Sequence, residues 1–378
     1  MPWTAEVGPP ATEVSDRPRP GERAIIPFEN LKLTRKLNGG NSIICETDAL
    51  HPSTGQLDVG SSALRLFEDD ELRFHGRVDD PLVEDDETIT LAAKDYGWLE
   101  QRLIQVTASF LPEFNAHDAS QIAAALITAQ NARAATGVIL GTLQPCTLKT
   151  IIFEPDKPVS EAIDELSAMD GGFWFRVDPE LDENEHSTCC SFNTLWPFSG
   201  VDRPGARFEY GAETMTTLDG FTRTRTRPVN FVTATGAGEG PGRLRVQVSN
   251  QASIDEYGLI DKLISLPSYG GLPQLTARAV AELEPIPGSV FAIDPSASDP
   301  NPDSGYAPQL FTDFDVGDIV RLTVRGGRVD ESDLTVRVTE VVLAIDDASS
   351  TQKIESLVIE RIVEAVIEPV PNQRRWNA

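Results

Sequence analysis

The sequence predicts a mainly β protein with α+β insertions: two related β-barrel domains, a small α+β domain and an inserted helical and β segment. Three observations carry this. From Ser61 to Leu103 short apolar–polar alternations are joined by acidic turns. From Asp118 to Gly172 two helical patterns interleave with strand-like stretches. From Phe314 to Val363 three long alternating stretches close the chain.

The first barrel is assigned to 24–104, after an N-terminal arm, 1–23, that is rich in proline and charge and is expected to order only against a partner. Leu31, Leu33 and Leu37 alternate through one strand, Asn38-Gly39-Gly40-Asn41 turns the chain, and Ser42 to Glu46 returns it. Leu64, Leu66, Leu72 and Phe74 alternate across the turn Glu68-Asp69-Asp70, which is the period-two pattern of a hairpin with one buried face. Gly76 is expected to break the second of these strands, and Glu84-Asp85-Asp86-Glu87 forms a second acidic turn before Thr88 to Ala93.

Residues 105–206 form the α+β domain. Asp118 is placed to cap a helix carrying Ile122, Leu126 and Ala129 on one face, and Val159, Ile163 and Leu166 line a second helix that Gly171-Gly172 would end. Phe173 to Asp178 and Ser187 to Leu195 read as strands. The second barrel is assembled from 207–250 and 310–364, around an insertion at 251–309 with a helix near Leu275 and a loop, Ser296 to Pro308, expected to be mobile. A polar tail, 365–378, contains Arg374, Arg375 and Trp376.

A formal net charge of −27 argues against a protein that holds nucleic acid through phosphate contacts, because those need a basic footprint. Solubility is the plain reading of that charge, and acidic walls that repel a passing polyanion are the sharper one. The N-terminus has no apolar core of a signal peptide, and no stretch reaches the roughly 18 to 20 apolar residues of a membrane-spanning helix, so synthesis and folding in a cytoplasm are expected. Cys45, Cys146, Cys189 and Cys190 form no disulfide framework and read as small buried or half-buried residues.

No catalytic, cofactor-binding or metal-ligating residue is assigned. The carboxylate pairs Asp69/Glu71 and Glu154/Asp156 could be nominated for acid–base work, but each sits in a turn-like acidic cluster where a solvated surface explains it better. His186 with Cys189 and Cys190 holds metal-ligand residue types. Adjacent strand cysteines point to opposite faces, however, and no second cluster completes a zinc site. His51, His75 and His117 are scattered, and Gly236-x-Gly238-x-Gly240 lies between strands and opens no helix. Phe173, Trp174, Phe175 and Trp98 could be imagined as a sugar platform, yet strand spacing puts Phe173 and Phe175 on one face with Trp174 opposed, the pattern of a core or interface.

The order of these parts is more informative than any one of them. The stretch LTRKLNGGNSIICETDALHPSTGQLDVGSSALRLFEDDELRFHGRV resembles the opening of the tail hub proteins of long-tailed bacteriophages, also described as baseplate hub or tail-tip minor tail proteins. ITLAAKDYGWLEQRLI, the unit SEAIDELSAMDGGFWFRVDP, the Tyr-Gly pairs at 210, 257 and 269, and VGDIVRLTV match further elements in the same order, over most of residues 25 to 365. The resemblance implies a structural, non-enzymatic homotrimer whose paired barrels give six quasi-equivalent positions, adapting a sixfold tail tube to a threefold tip. It further implies contacts with a tail tube or distal tail protein above, and with the tape measure protein and central tip or fibre proteins. Phage DNA would pass through the lumen without specific binding, with the protein in the virion tail tip after assembly in the host cytoplasm. Some members carry a peptidoglycan hydrolase or receptor-binding module, and none is expected within these residues. The alternatives are a carbohydrate-binding adhesion module of a tail or cell surface and, behind it, a cell-wall hydrolase.

Overall fold

The computed structural model describes residues 3–8, 24–57, 62–79, 83–106, 112–134, 136–169, 172–180, 189–196, 200–211, 218–225, 229–238, 240–266, 271–283, 289–295, 308–326, 329–347 and 353–361. In chain order the first part holds β1 (Trp3–Gly8), β2 (Ala24–Ile26), β3 (Glu29–Lys36), β4 (Ser42–Asp48), β5 (Ala63–Glu68), β6 (Glu71–Val78), β7 (Val83–Glu84) and β8 (Thr88–Lys94). The α+β part holds β9 (Glu113–Asp118), α1 (Ala119–Arg133), β10 (Val138–Leu143), β11 (Leu148–Ile152), α2 (Val159–Ser167), β12 (Trp174–Glu180) and β13 (Cys189–Leu195). Then come β14 (Asp202–Tyr210), β15 (Leu218–Arg225), β16 (Phe231–Thr235), β17 (Arg245–Ser249), α3 (Gln251–Tyr257), β18 (Asp261–Ser265) and α4 (Leu272–Ala281). β19 (Ser289–Pro295), β20 (Ile319–Gly326), β21 (Val329–Asp347) and β22 (Lys353–Arg361) close the order. The protein is mainly β, and among the described residues the α-helices lie between 119 and 281.

One 14-stranded sheet runs β15-β19-β22-β21-β3-β4-β8-β6-β5-β1-β2, with β20 on β21, β14 on β20 and β7 on β8. The strands assigned to two barrels are therefore hydrogen-bonded into one sheet. The splice is β21, which is 19 residues long. Its first half pairs antiparallel with β20, up to Ile319↔Arg337. Its second half pairs with β3, from Glu340↔Lys36 to Asp347↔Glu29. A register shift against β22 between Val338 and Glu340 marks the change of partner. The side chains record it too: Val336 and Val338 are buried before the bulge, and Val341, Leu343 and Ile345 after it. One inserted residue flips the inward parity, as a β-bulge must. Trp3, Leu33, Leu64, Phe208, Leu322 and Leu357 share a single apolar core with these residues.

Three expectations are corrected. Residues 3–8 are not a free arm: β1 pairs with β5 from Trp3↔Glu68 to Gly8↔Ala63, and Trp3, Ala5 and Val7 are buried on one face. The alternation Trp3-x-Ala5-x-Val7 is a strand signal that the proline-rich run after it obscures. Second, β16 and β17 do not join the sheet of β20 to β22. They pair with β18 in a separate three-stranded sheet, and Val232 and Ala234 share a core with Leu275 and Ala279 of α4 and with the α+β part. In exchange β19, inside the expected insertion, enters the large sheet between β15 and β22. Backbone pairing carries little sequence information, so alternation shows that a strand exists and not which sheet receives it.

Third, Gly76 does not break β6. It is buried inside it, opposite Leu64, and β6 passes directly onto β8 at Arg77↔Lys94. A Cβ at Gly76 would lie 2.7 Å from both the carbonyl carbon and the oxygen of Lys94, and 2.5 Å from the Phe74 ring. Glycine is required there by close backbone approach. Gly76→Ala is expected to cost about 2 kcal/mol, as overpacking against backbone that cannot rotate away does. Urea unfolding checks it, and an unchanged midpoint would contradict the close approach.

The α+β part follows its sequence closely. The Asp118 carboxylate accepts from the Ser120 and Gln121 amides at the start of α1 and from the Cys146 amide at 2.7 Å. Partial burial pushes its pKa up, but these hydrogen bonds outweigh it and hold the carboxyl below the usual range. Val159, Ile163 and Leu166 of α2 are buried, although α2 ends at Ser167, ahead of Gly171-Gly172.

Candidate functional site: the junction between the large sheet and the α+β part

The two cores meet where the β3–β4 turn touches β12. Asn38 donates its amide to the Phe175 carbonyl at 2.9 Å and accepts the Phe175 amide on Oδ1 at 2.8 Å. Asn38 holds φ 55°, which asparagine tolerates better than most residues. Asn41 is buried; its Nδ2 donates to the Val177 carbonyl at 2.8 Å and to Asp95 Oδ2 at 2.6 Å, and its amide donates to Asp95 Oδ1 at 2.7 Å. The Asn-Gly-Gly-Asn turn is thus a clasp as well as a turn. Gly40 has to be glycine, since a Cβ there would meet the Tyr96 Cβ at 2.7 Å.

Beside the clasp lies a buried charge network that sequence reading missed. Arg35 occupies the inward position of Leu31-x-Leu33-x-Arg35-x-Leu37, and its side chain is only 3% exposed. Its guanidinium forks onto Asp315, Nε to Oδ1 and Nη2 to Oδ2, both at 3.0 Å, and reaches Asp178 of β12 at 3.2 Å. Arg176 joins the same two carboxylates, at 2.7 Å to Asp178 and 3.4 Å to Asp315. Asp318, also buried, accepts the Val201 and Asp315 amides and pairs with Arg203 at 3.2 Å. β3, β12 and the segment before β20 are therefore tied together by bidentate, charge-assisted bonds. The signal available in the sequence was a lone arginine in an otherwise apolar alternation.

Asp95 sits behind Asn41 and is buried. Burial pushes its pKa up to about 7, against the pull of hydrogen bonds from Tyr96 and Asn41 and of the Arg35 charge. With its two oxygens bonded to Asn41 and Tyr96, this carboxyl orients the clasp.

The nominated residues lie elsewhere. Asp69 and Asp70 form the exposed two-residue β5–β6 turn, with φ 48° and 67°, as a primed hairpin turn demands. Glu71 pairs with Arg73 at 2.7 Å, and Glu154 and Asp156 are exposed between β11 and α2. In the second acidic turn, Asp85 accepts the Glu87 and Thr88 amides, which hold its carboxyl below the usual range. His75 is buried on β6 and its carbonyl faces the Cys190 thiol at 2.9 Å, while His51 lies in the turn after β4 and His117 in β9. Cys45 is buried too, with its thiol pushed up to about 12 by burial and then by Glu46. Gly236, Gly238 and Gly240 lie between β16 and β17. Phe173 and Phe175 are core residues packed on Phe192, and Trp174 lies on the other face under the Arg337 guanidinium at 4.0 Å. His186, the side chains of Cys189 and Trp98, the loop 296–307, Tyr269 and the tail 365–378 lie outside the described residues. Among the described residues no three His, Cys, Asp or Glu are grouped to hold a metal ion, and no helix is long and apolar enough to cross a membrane.

The fold as a whole is similar to that of prophage tail proteins of known structure. The chain is similar over 96% of its length to the 43 kDa tail protein of prophage MuSo2 from Shewanella oneidensis, covering 98% of that chain at TM-score 0.56 and 14% identity. A tail protein from Neisseria meningitidis MC58 gives TM-score 0.57 at 12% identity, over 96% of this chain and 97% of that one. Prophage tail protein gp18 from Listeria monocytogenes EGD-e gives 0.56 at 13% identity, over 96% of each chain. No family model matches the sequence, and no curated protein matches it.

Proposed function

We propose that the protein is a structural, non-enzymatic hub of a phage tail tip, forming a trimeric ring that adapts the sixfold tail tube to a threefold end and lines the channel through which DNA leaves. The observation that carries this reading is the end-to-end likeness to prophage tail proteins, over 96% of this chain and 96% to 98% of theirs. Two β units in one chain, joined through β21 and β3, supply the pair of related surfaces that three copies would turn into six. The outermost strands, β2 and β15, each have one strand partner among the described residues, and such edges suit pairing with a neighbouring chain. Tail tube or distal tail protein, tape measure protein and central tip proteins are the partners of this reading. The charge of −27 acts in it as a non-adhesive lining for DNA, with the turns at Asp69-Asp70 and Asp85-Asp86 on the rim or lumen.

Light scattering on the purified chain tests the assembly, with three chain masses expected, alone or on mixing with tail partners. A monomer that stays out of tail particles and binds cell-wall glycans would replace the hub with an adhesion module. Wall lysis abolished by changing one carboxylate pair would make it an enzyme.

A further inference from the structure

β1 is the first strand of the chain, yet it lies inside the large sheet, between β5 and β2. It pairs with β5 over its whole length, from Trp3↔Glu68 to Gly8↔Ala63, and with β2 from Ala5↔Ile26 to Val7↔Ala24. Trp3, Ala5 and Val7 enter the core, where Ala5 stands opposite Leu66 and Val7 opposite Leu64. β2 in turn has β1 as its one strand partner among the described residues. The slot between β5 and β2 therefore has to hold a strand. Empty, it would uncover the fully buried Leu64 and Leu66 and leave the β5 edge open.

The connection from β1 to β2 is longer than this pairing requires. Val7↔Ala24 sets the facing strand ends about 5 Å apart, a gap that hairpin loops of about two to five residues close. Residues 9–23 supply fifteen, four of them proline. Closing so long a loop within one chain costs about 1 kcal/mol more than closing a short turn. Fully extended at about 3.1 Å per residue, the same segment has a reach of about 45 Å, enough to carry β1 to a neighbouring molecule. Exchange of an identical element costs no contact, because the strand makes in the neighbour's slot the bonds it makes in its own. We propose that β1 is a donated strand: in the assembled protein each copy's β1 fills the β5–β2 slot of the next copy, head to tail. The occupant is a second copy because the slot is matched to Trp3-x-Ala5-x-Val7, and a foreign strand would have to displace one that is tethered at high effective concentration. Three such donations close a ring, and for that number the inference rests on the trimeric hub reading.

Thr4 faces Phe67 in the β1–β5 register and both are half-buried, so cysteines at these positions lie within disulfide reach. A full-length chain carrying Thr4→Cys and Phe67→Cys is oxidised in the assembled state, alone or mixed with tail partners, and its products are separated by mass under denaturing conditions. Each single variant controls for the native cysteines. Cross-links between chains are expected, ending in a covalent ring of three chains. With residues 9–23 replaced by a turn of about four residues, the same pair should cross-link within one chain. That shortened chain should also need at least about tenfold higher concentration to assemble. Cross-links confined to single chains of the full-length assembly would overturn the exchange, as would no cross-link at all or unchanged assembly of the shortened chain. The two readings fail differently. A full-length chain that stays at one chain mass with every partner removes the hub and the exchange together, whereas an assembly of three with cross-links only inside each chain removes the exchange alone.

Discussion

Replacing Arg35 by alanine is expected to lower the unfolding free energy by about 3–5 kcal/mol, the cost of removing one partner from a buried ion pair. The loss comes less from the bonds themselves than from what stays behind. Asp178 and Asp315 keep 23% of their side-chain surface in water, so they can rehydrate in part, which places the effect toward the lower figure. Arg176 still faces both carboxylates and compensates for some of the lost charge. Lysine at position 35 should recover little, because one ammonium cannot reproduce the two parallel 3.0 Å bonds to Asp315. Urea denaturation of Arg35→Ala and Arg35→Lys measures both. A loss below about 1 kcal/mol would show that the network is bystander charge. Because Arg35 joins strands from three parts of the chain, hydrogen exchange in the variant should quicken at β12 and before β20 as well as in β3.

The second large effect is a pH dependence set by Asp95. Its folded pKa of about 7 lies well above the ordinary aspartate value of 3.8, so the folded state holds the proton more tightly than the unfolded chain. The contribution to stability is fully present below about pH 4 and is lost as pH rises through 7. Three units correspond to at most about 4 kcal/mol. Asp95→Asn cannot titrate, so this component should vanish from its profile. Relative to the wild type, the variant should gain stability steadily between pH 4 and pH 8. Its absolute stability carries a separate cost, since the new amide nitrogen meets the Asn41 Nδ2 that now donates to Asp95 Oδ2. The slope is therefore the readout, and parallel profiles would refute the assignment. Asp164, raised for a related reason, contributes to both proteins alike and cancels in the difference.

Much of the local structure was legible because it obeys local rules. Leu31, Leu33 and Leu37, the alternation of Thr88 to Ala93, the cap at Asp118 and the helical face of Val159, Ile163 and Leu166 all fall where period and chemistry put them. The overlooked residues stand where a pattern is interrupted. Arg35 breaks an apolar alternation, Trp3 precedes a proline-rich run, and Asp95 looks like one more acid in an acid-rich chain. Each is buried because something distant covers it: Asp178 and Asp315 for Arg35, β5 for Trp3, Asn41 for Asp95.

By itself, then, the sequence determined many of the strands and helices, though not β1, β9 or β19, and which face of each turns inward, because side-chain periodicity is a local record of burial. Tertiary structure alone decided that β21 splices two β units into one sheet, that β16 and β17 leave it while β19 enters, and that an Asn-Gly-Gly-Asn turn clasps the α+β layer. The physical reason is the generality of the backbone hydrogen bond. Any strand edge offers the same donors and acceptors, so the choice between edges falls to bulges, close glycine contacts and buried charges whose partners lie far along the chain.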